Sequence, residues 1–176
     1  VDLIRIGDKV ISRKKLMERI GQILEWRSRG LSQQEVASRL GVDRSFISRL
    51  ESLGEVRRGK RIGVVGFPVS NKEEIEAMLR EEGVEFILLM SDQERWDFVR
   101  QKSGLELLNE IFDIIARLRE LDLVVVIGSD YRIRVSEALL GREVVGWELG
   151  PSPIEGDRQV EVESLRRLIR HLIAKG

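Results

Sequence analysis

The sequence predicts an α/β chain in two parts, a small helical domain over residues 1–61 and a parallel-sheet domain over residues 62–176. Two observations carry that division. Before the boundary, apolar residues recur at helical spacing; after it, short Val/Ile/Leu runs alternate with helical stretches, as in a parallel sheet covered on both faces. The charge also changes sign there. Residues 1–61 hold 15 Lys/Arg against 8 Asp/Glu, a net of +7, while residues 62–176 hold 15 against 22, a net of −7.

The elements follow in order. VDLIRIGDKVIS, with its Gly7-Asp8 break, predicts a small hairpin or an arm. Ser12 is placed to cap a helix over 13–29, whose apolar stripe is Leu16, Ile20, Ile23 and Leu24, with Trp26 in or beside the core and Gly30 as the stop. Ser32 and Glu35 have capping-box spacing for a second helix, whose buried positions are Val36, Ala37 and Leu40. Gly41 suits a left-handed helix end, Val42 a plug between helices, and Asp43 the cap of a third helix. In that third helix Ile47 and Leu50 point back to the core. Arg44, Ser45, Ser48 and Arg49 are left on the outward face.

Beyond a short basic linker, EVRRGKR (55–61), strands are predicted at 62–67, 84–90, 123–128 and 143–149. Helices are predicted at 71–82, 92–101, 104–120, 132–140 and 162–174, with Asn71/Glu74 and Ser91/Glu94 as caps. Strands joined by helices in this way define a Rossmann-like domain. The helix at 104–120 carries a wider apolar sector than one sheet contact needs, including Leu105, Leu108, Ile111 and Phe112, so part of it is expected to face another subunit.

The second and third helices, SQQEVASRLGVDRSFISRLES (32–52), have the layout of a helix-turn-helix that presents polar side chains to a DNA major groove. Gln33, Ala37, Gly41, Val42, Ile47, Ser48 and Glu51 meet the pattern Q-x-x-x-A-x-x-x-G-V-x-x-x-x-I-S-x-x-E. On these residues the segment resembles the helix-turn-helix of lambda-repressor-like (Cro/repressor, XRE-type) transcriptional regulators. The resemblance covers the N-terminal part only. That family usually continues with further helices, whereas this chain turns into GEVRRGKRIGVVGF, so a trimmed three-helix version is expected and no family dimer contact is carried over. The resemblance implies binding to double-stranded DNA, with Gln33 setting register and Arg44, Ser45, Ser48 and Arg49 meeting bases or phosphates. Arg57 and Arg58, with Lys60 and Arg61 beside them, are expected to clamp phosphates.

Composition narrows the function classes. With 176 residues, 42% apolar and 34% charged, the chain is that of one or two globular domains. No signal peptide or membrane span is visible, which predicts a cytoplasmic protein without membrane contact. The absence of Cys removes thiol catalysis and Cys-based zinc sites, and the single His171 provides neither a triad nor a His-rich metal site. Neither G-x-G-x-x-G nor a P-loop occurs, so no dinucleotide, metal or other cofactor is expected, and no enzyme activity.

In the second domain, helix N-termini at the strand ends are candidate anion donors. Gly66, Ser70 and Asn71, then Ser91 and Asp92, then Gly128, Ser129 and Asp130 would line a pocket for a small anionic effector, with Arg132 and Arg134 nearby. The reading is a homodimeric, sequence-specific DNA-binding transcriptional regulator whose α/β domain dimerises and senses a ligand. Two alternatives stay open: a nucleotide-binding α/β enzyme with a DNA-targeting head, and an architectural or partition DNA-binding protein.

Overall fold

The computed structural model describes residues 2–56, 58–141 and 143–175. The chain divides into two compact units, Val1–Glu55 and Val56–Gly176.

The first unit opens with an antiparallel hairpin, β1 (Leu3–Ile6) and β2 (Lys9–Ser12), turned at Gly7 with φ +59°. Three helices follow: α1 (Arg13–Ser28), α2 (Gln33–Leu40) and α3 (Arg44–Gly54). Ser12 caps α1 as expected, its Oγ accepting the Lys15 N–H at 3.3 Å. Ile23, Val36, Ala37 and Ile47 form the buried core, and Trp26, Leu31, Leu40 and Leu50 pack around it. The predicted stripe of α1 is only partly used. Leu16 and Leu24 are 49% and 48% exposed, because α1 packs through Ile23 and Trp26 instead. With Leu3, Ile6, Val10 and Met17 they leave the hairpin and α1 with considerable apolar surface.

The second unit is a four-stranded sheet of order β4-β3-β5-β6 with every neighbouring pair parallel. Its elements are β3 (Ile62–Gly66), α4 (Lys72–Glu81), β4 (Phe86–Leu89), α5 (Asp92–Arg100), α6 (Gly104–Arg119), β5 (Leu123–Ser129), α7 (Asp130–Leu140), β6 (Glu143–Gly150) and α8 (Val162–Leu172). All seven residues of β5 are buried, and their alternation separates two cores. Leu123, Val125 and Ile127 join Ile75 and Leu79 of α4 and Leu165 and Ile169 of α8. Val124 and Val126 face the other way, onto Leu118 of α6 and Leu140 of α7. This is the mixed α/β, Rossmann-like architecture that the Val/Ile/Leu runs predict. Among the described residues no helix is long and apolar enough to cross a membrane.

Polar contacts lock the edges of this unit. Glu82 accepts from Arg166 at 2.9 Å and from Arg170 at 2.7 Å, tying α4 to α8. The end of the predicted linker is docked rather than free. Gly59 donates to Leu172 O at 2.9 Å, Lys60 and Arg61 donate backbone N–H groups to Asp122 at 2.9 Å, and the Arg61 guanidinium pairs with Glu85 at 2.7 Å. Asn71 stands before α4 but its side chain does not cap it; its amide exchanges two hydrogen bonds with the Val160 backbone, at 2.8 and 3.0 Å.

Gly66 ends β3 in close contact with both neighbouring strands. A Cβ there would lie 2.8 Å from Ile127 Cβ and 3.0 Å from Leu89 Cδ2, so the position has no room for a side chain. Gly66→Ala is expected to cost about 1–3 kcal/mol through overpacking, read as a lower melting temperature. An unchanged melting temperature would contradict this packing.

Candidate nucleic-acid interface

Three local features set the angle and exposure of α3. Ser32 and Glu35 form a capping box, with Ser32 Oγ accepting the Glu35 N–H at 3.2 Å and the Glu35 carboxylate accepting the Ser32 N–H at 2.7 Å. The backbone hydrogen bond from Ser32 is the main reason the Glu35 carboxyl titrates below its ordinary value. Gly41 ends α2 in the left-handed region, φ +67°, where a side chain is strained and glycine is not. Ile47, fully buried, then anchors α3 against Val36 and Ala37.

Two details differ from the sequence reading. Val42 does not join the buried core between the helices; it is 39% exposed, and its N–H donates to Ala37 O at 3.1 Å. Asp43 occupies the cap position of α3, yet its carboxylate makes no cap bond and its carbonyl accepts the Phe46 N–H at 3.0 Å instead.

With Ile47 inward, Arg44, Ser45, Ser48 and Arg49 all fall on exposed surface of α3. Gln33, the first residue of α2, is half-buried and tied across to α3. Its Nε2 donates to Glu51 at 2.9 Å, while its Oε1 accepts from Arg44 Nε at 3.4 Å. The other Glu51 oxygen is held by Arg27 of α1, which also donates to Leu31 O. Sequence reasoning missed this network. Glu51 has a signal, as the last residue of the motif, but nothing in the sequence points to Arg27. Its effect is twofold: it fixes Gln33 and Arg44 at the start of both helices, and it pairs the Glu51 carboxylate with a guanidinium. Arg57 lies outside the described residues, and Arg58 is exposed in the second unit.

A short helix, a left-handed glycine turn and a second helix offering hydrogen-bonding side chains outward define a DNA-binding helix-turn-helix. Residues 20–54 match the family model described as Helix-turn-helix. The N-terminal part of the chain is therefore an XRE-type helix-turn-helix, the kind of domain that DNA-binding regulators carry, and the match does not extend into the sheet-bearing unit. No curated protein matches the chain.

In the second unit a cleft of about 410 Å³ opens at the carboxyl ends of the strands. Of the eight residues proposed from sequence, Asp92 and Ser129 line it. The others are engaged elsewhere. Gly66 is a packing position, Ser70 N–H bonds Arg158 O, and Asn71 holds Val160. Ser91 caps α5 through Glu94, a Cβ at Gly128 would lie 3.5 Å from Arg132 Cβ and from Phe67 O, and Asp130 accepts from the Tyr131 and Ser152 N–H groups. The cleft wall also contains Phe67 and Arg132, together with Arg95, Trp96 and the 152–156 loop, which the sequence reading did not select.

The Glu51 network makes a pH-dependent prediction. The Arg27 hydrogen bond first, then that from Gln33, holds the Glu51 carboxyl below its ordinary value of 4.5. A depressed folded-state pKa gives stability that is complete above that ordinary value and is lost as pH falls through the lowered one. Glu51→Gln should therefore cost about 1 kcal/mol at neutral pH and lose less further stability than the parent on acidification to pH ~3. Equal acid sensitivity of both proteins in denaturant melts would remove Glu51 from this role.

Proposed function

We propose that the protein is a homodimeric, sequence-specific transcriptional regulator, acting on double-stranded DNA in the cytoplasm, with no catalytic activity of its own. The observation that carries this reading is the exposed polar face of α3, held outward by the buried Ile47. In this reading α3 enters the major groove, where Arg44 and Arg49 reach guanine edges or flanking phosphates, Ser45 and Ser48 donate hydrogen bonds, and Gln33 fixes the register. The basic charge of residues 1–61 supports approach to phosphate, and the acidic remainder is kept off it.

Dimerisation has two supports. One recognition helix reads few base pairs, and paired half-sites about 34 Å apart call for a twofold protein. On α6, Leu105, Leu108, Ile111 and Phe112 are 40–68% exposed in one stretch, while Ile114, Ile115 and Leu118 of the same helix pack on the sheet. That unpacked half is assigned to the second copy. The cleft at the strand ends is assigned to a small anionic effector.

Replacing an arginine that contacts guanine in a bidentate manner should cost about 1–3 kcal/mol and relax specificity at one position. Arg44→Ala and Arg49→Ala, profiled on a randomised duplex library, separate this from uniform weakening, which would assign the residue to phosphate. If about 6–10 phosphates are neutralised, affinity should fall ~10³–10⁵-fold between 50 and 200 mM salt, and a flat response would count against the reading.

The dimer is tested by Leu108→Glu with Phe112→Glu, expected to give monomers in sedimentation. If the parent is a dimer and this pair leaves it one, while Ile6→Glu with Met17→Glu dissociates it, the interface belongs to the hairpin and α1.

A further inference from the structure

The strand-end cleft has a specific chemistry. The chain runs from β3 to β4 on one side and returns to β5 on the other, so the ends of β3 and β5 flank the point where strand order reverses, the usual ligand position in open parallel sheets. Phe67 follows β3 and Ser129 closes β5, and both line the cleft.

Guanidinium groups and aromatic rings alternate beside it. The Arg132 guanidinium stands 5.4 Å from the Phe67 ring centre and Arg95 stands 6.0 Å from it. Arg95 also lies 5.3 Å from the Trp96 ring, with Arg100 at 5.4 Å from the same ring. Arg132 has no carboxylate partner among the described residues. Arg95 pairs with Asp92, but its Nε is buried without a hydrogen-bond partner. Buried donors left unpaired are uncommon in native proteins and call for an explanation.

The helix N-termini do not supply the site. The Asp92 N–H is taken by Asp157 at 2.6 Å, the Arg132 N–H by Ser129, and the Tyr131 N–H by Asp130. Anion binding here falls to the side-chain cations. Glu155 also lines the cleft, and with Asp92 it brings two negative charges against Arg95 and Arg132. That balance disfavours a ligand of high negative charge.

We infer that this cleft binds a mononucleotide, with its base against Trp96 and Phe67 and its phosphate on Arg132 and Arg95. A volume of about 410 Å³ is near the lower end of ligand pockets and suits one base with one sugar phosphate, not a dinucleotide. Base–aromatic stacking and charge-assisted bidentate bonds to phosphate are the two interactions these side chains provide. The inference deepens the effector role given to the second unit and rests on that reading.

Calorimetric titration of the full chain with AMP, GMP, CMP and UMP tests it, with adenosine and inorganic phosphate as part-ligands. At least one monophosphate should bind. The part-ligands should each bind about tenfold or more weakly than the monophosphate, because each loses one of the two interactions. Arg132→Ala and Trp96→Ala should each weaken binding about tenfold or more, with Trp96→Phe recovering part of the loss. Circular dichroism and melting curves confirm that the variants fold. Absence of heat for all four monophosphates at ~1 mM would overturn the inference. So would binding that both alanine variants leave unchanged, or tighter binding of a short single-stranded oligonucleotide than of any monophosphate. Gel-shift binding of duplex DNA, measured in parallel, keeps the two proposals apart: loss of nucleotide binding with intact duplex binding removes only the mononucleotide.

Discussion

Four side chains, Ile23, Val36, Ala37 and Ile47, are buried together where α1, α2 and α3 meet. Removing their apolar surface from water is the main force holding three short helices that would not persist alone. Because Ile47 is consumed by that contact, the residues flanking it on α3 have no route inward. Arg44, Ser45, Ser48 and Arg49 are exposed as a consequence of where the core lies. Ala37 is small enough to let the helices cross closely, and Gly41 lets the chain reverse without strain. The exposed polar face of α3 is thus a by-product of packing, refined by the Arg27–Glu51–Gln33 network.

The second unit follows a different logic. Its stability centres on β5, which is buried on both faces and divides the unit into two cores, one with α4 and α8 and one with α6 and α7. Glycines at 63, 66 and 146 keep the surrounding layers close: a Cβ at each would come within 2.8 Å of a neighbouring side-chain atom. These contacts are at the level of the sheet. The surfaces proposed for an effector and for a second copy lie where packing stops, at the strand ends and on the exposed half of α6.

Much of this was legible because helix starts have local chemistry. Ser12, Ser32, Ser91 and Asp43 each mark the residue before a helix, and the first three make the side-chain bonds that their spacing implies. The central strand β5 was legible because a strand buried on both faces must be apolar almost throughout. Tertiary choices were not. Leu16 and Leu24 fit a helical stripe as well as Ile23 does, and only the placement of α2 and α3 decides which of them is covered. The site shows the same limit. Small polar residues at strand ends read equally well as caps or ligand contacts, and here most are committed to backbone groups. Arg95 and Trp96 read as ordinary helix-surface residues until the fold sets them beside Phe67.

The central claim is that α3 reads base edges while α1 does not. A photocrosslinking amino acid at Ser48, in complex with a duplex selected by the protein, measures this directly. Crosslinks should map to bases in the major groove at one defined position in each half-site. A comparable probe at Gln22 on α1 should give none to bases. Base crosslinks from position 22 with none from position 48 would mean that the helix held outward by Ile47 is not the one that reads DNA.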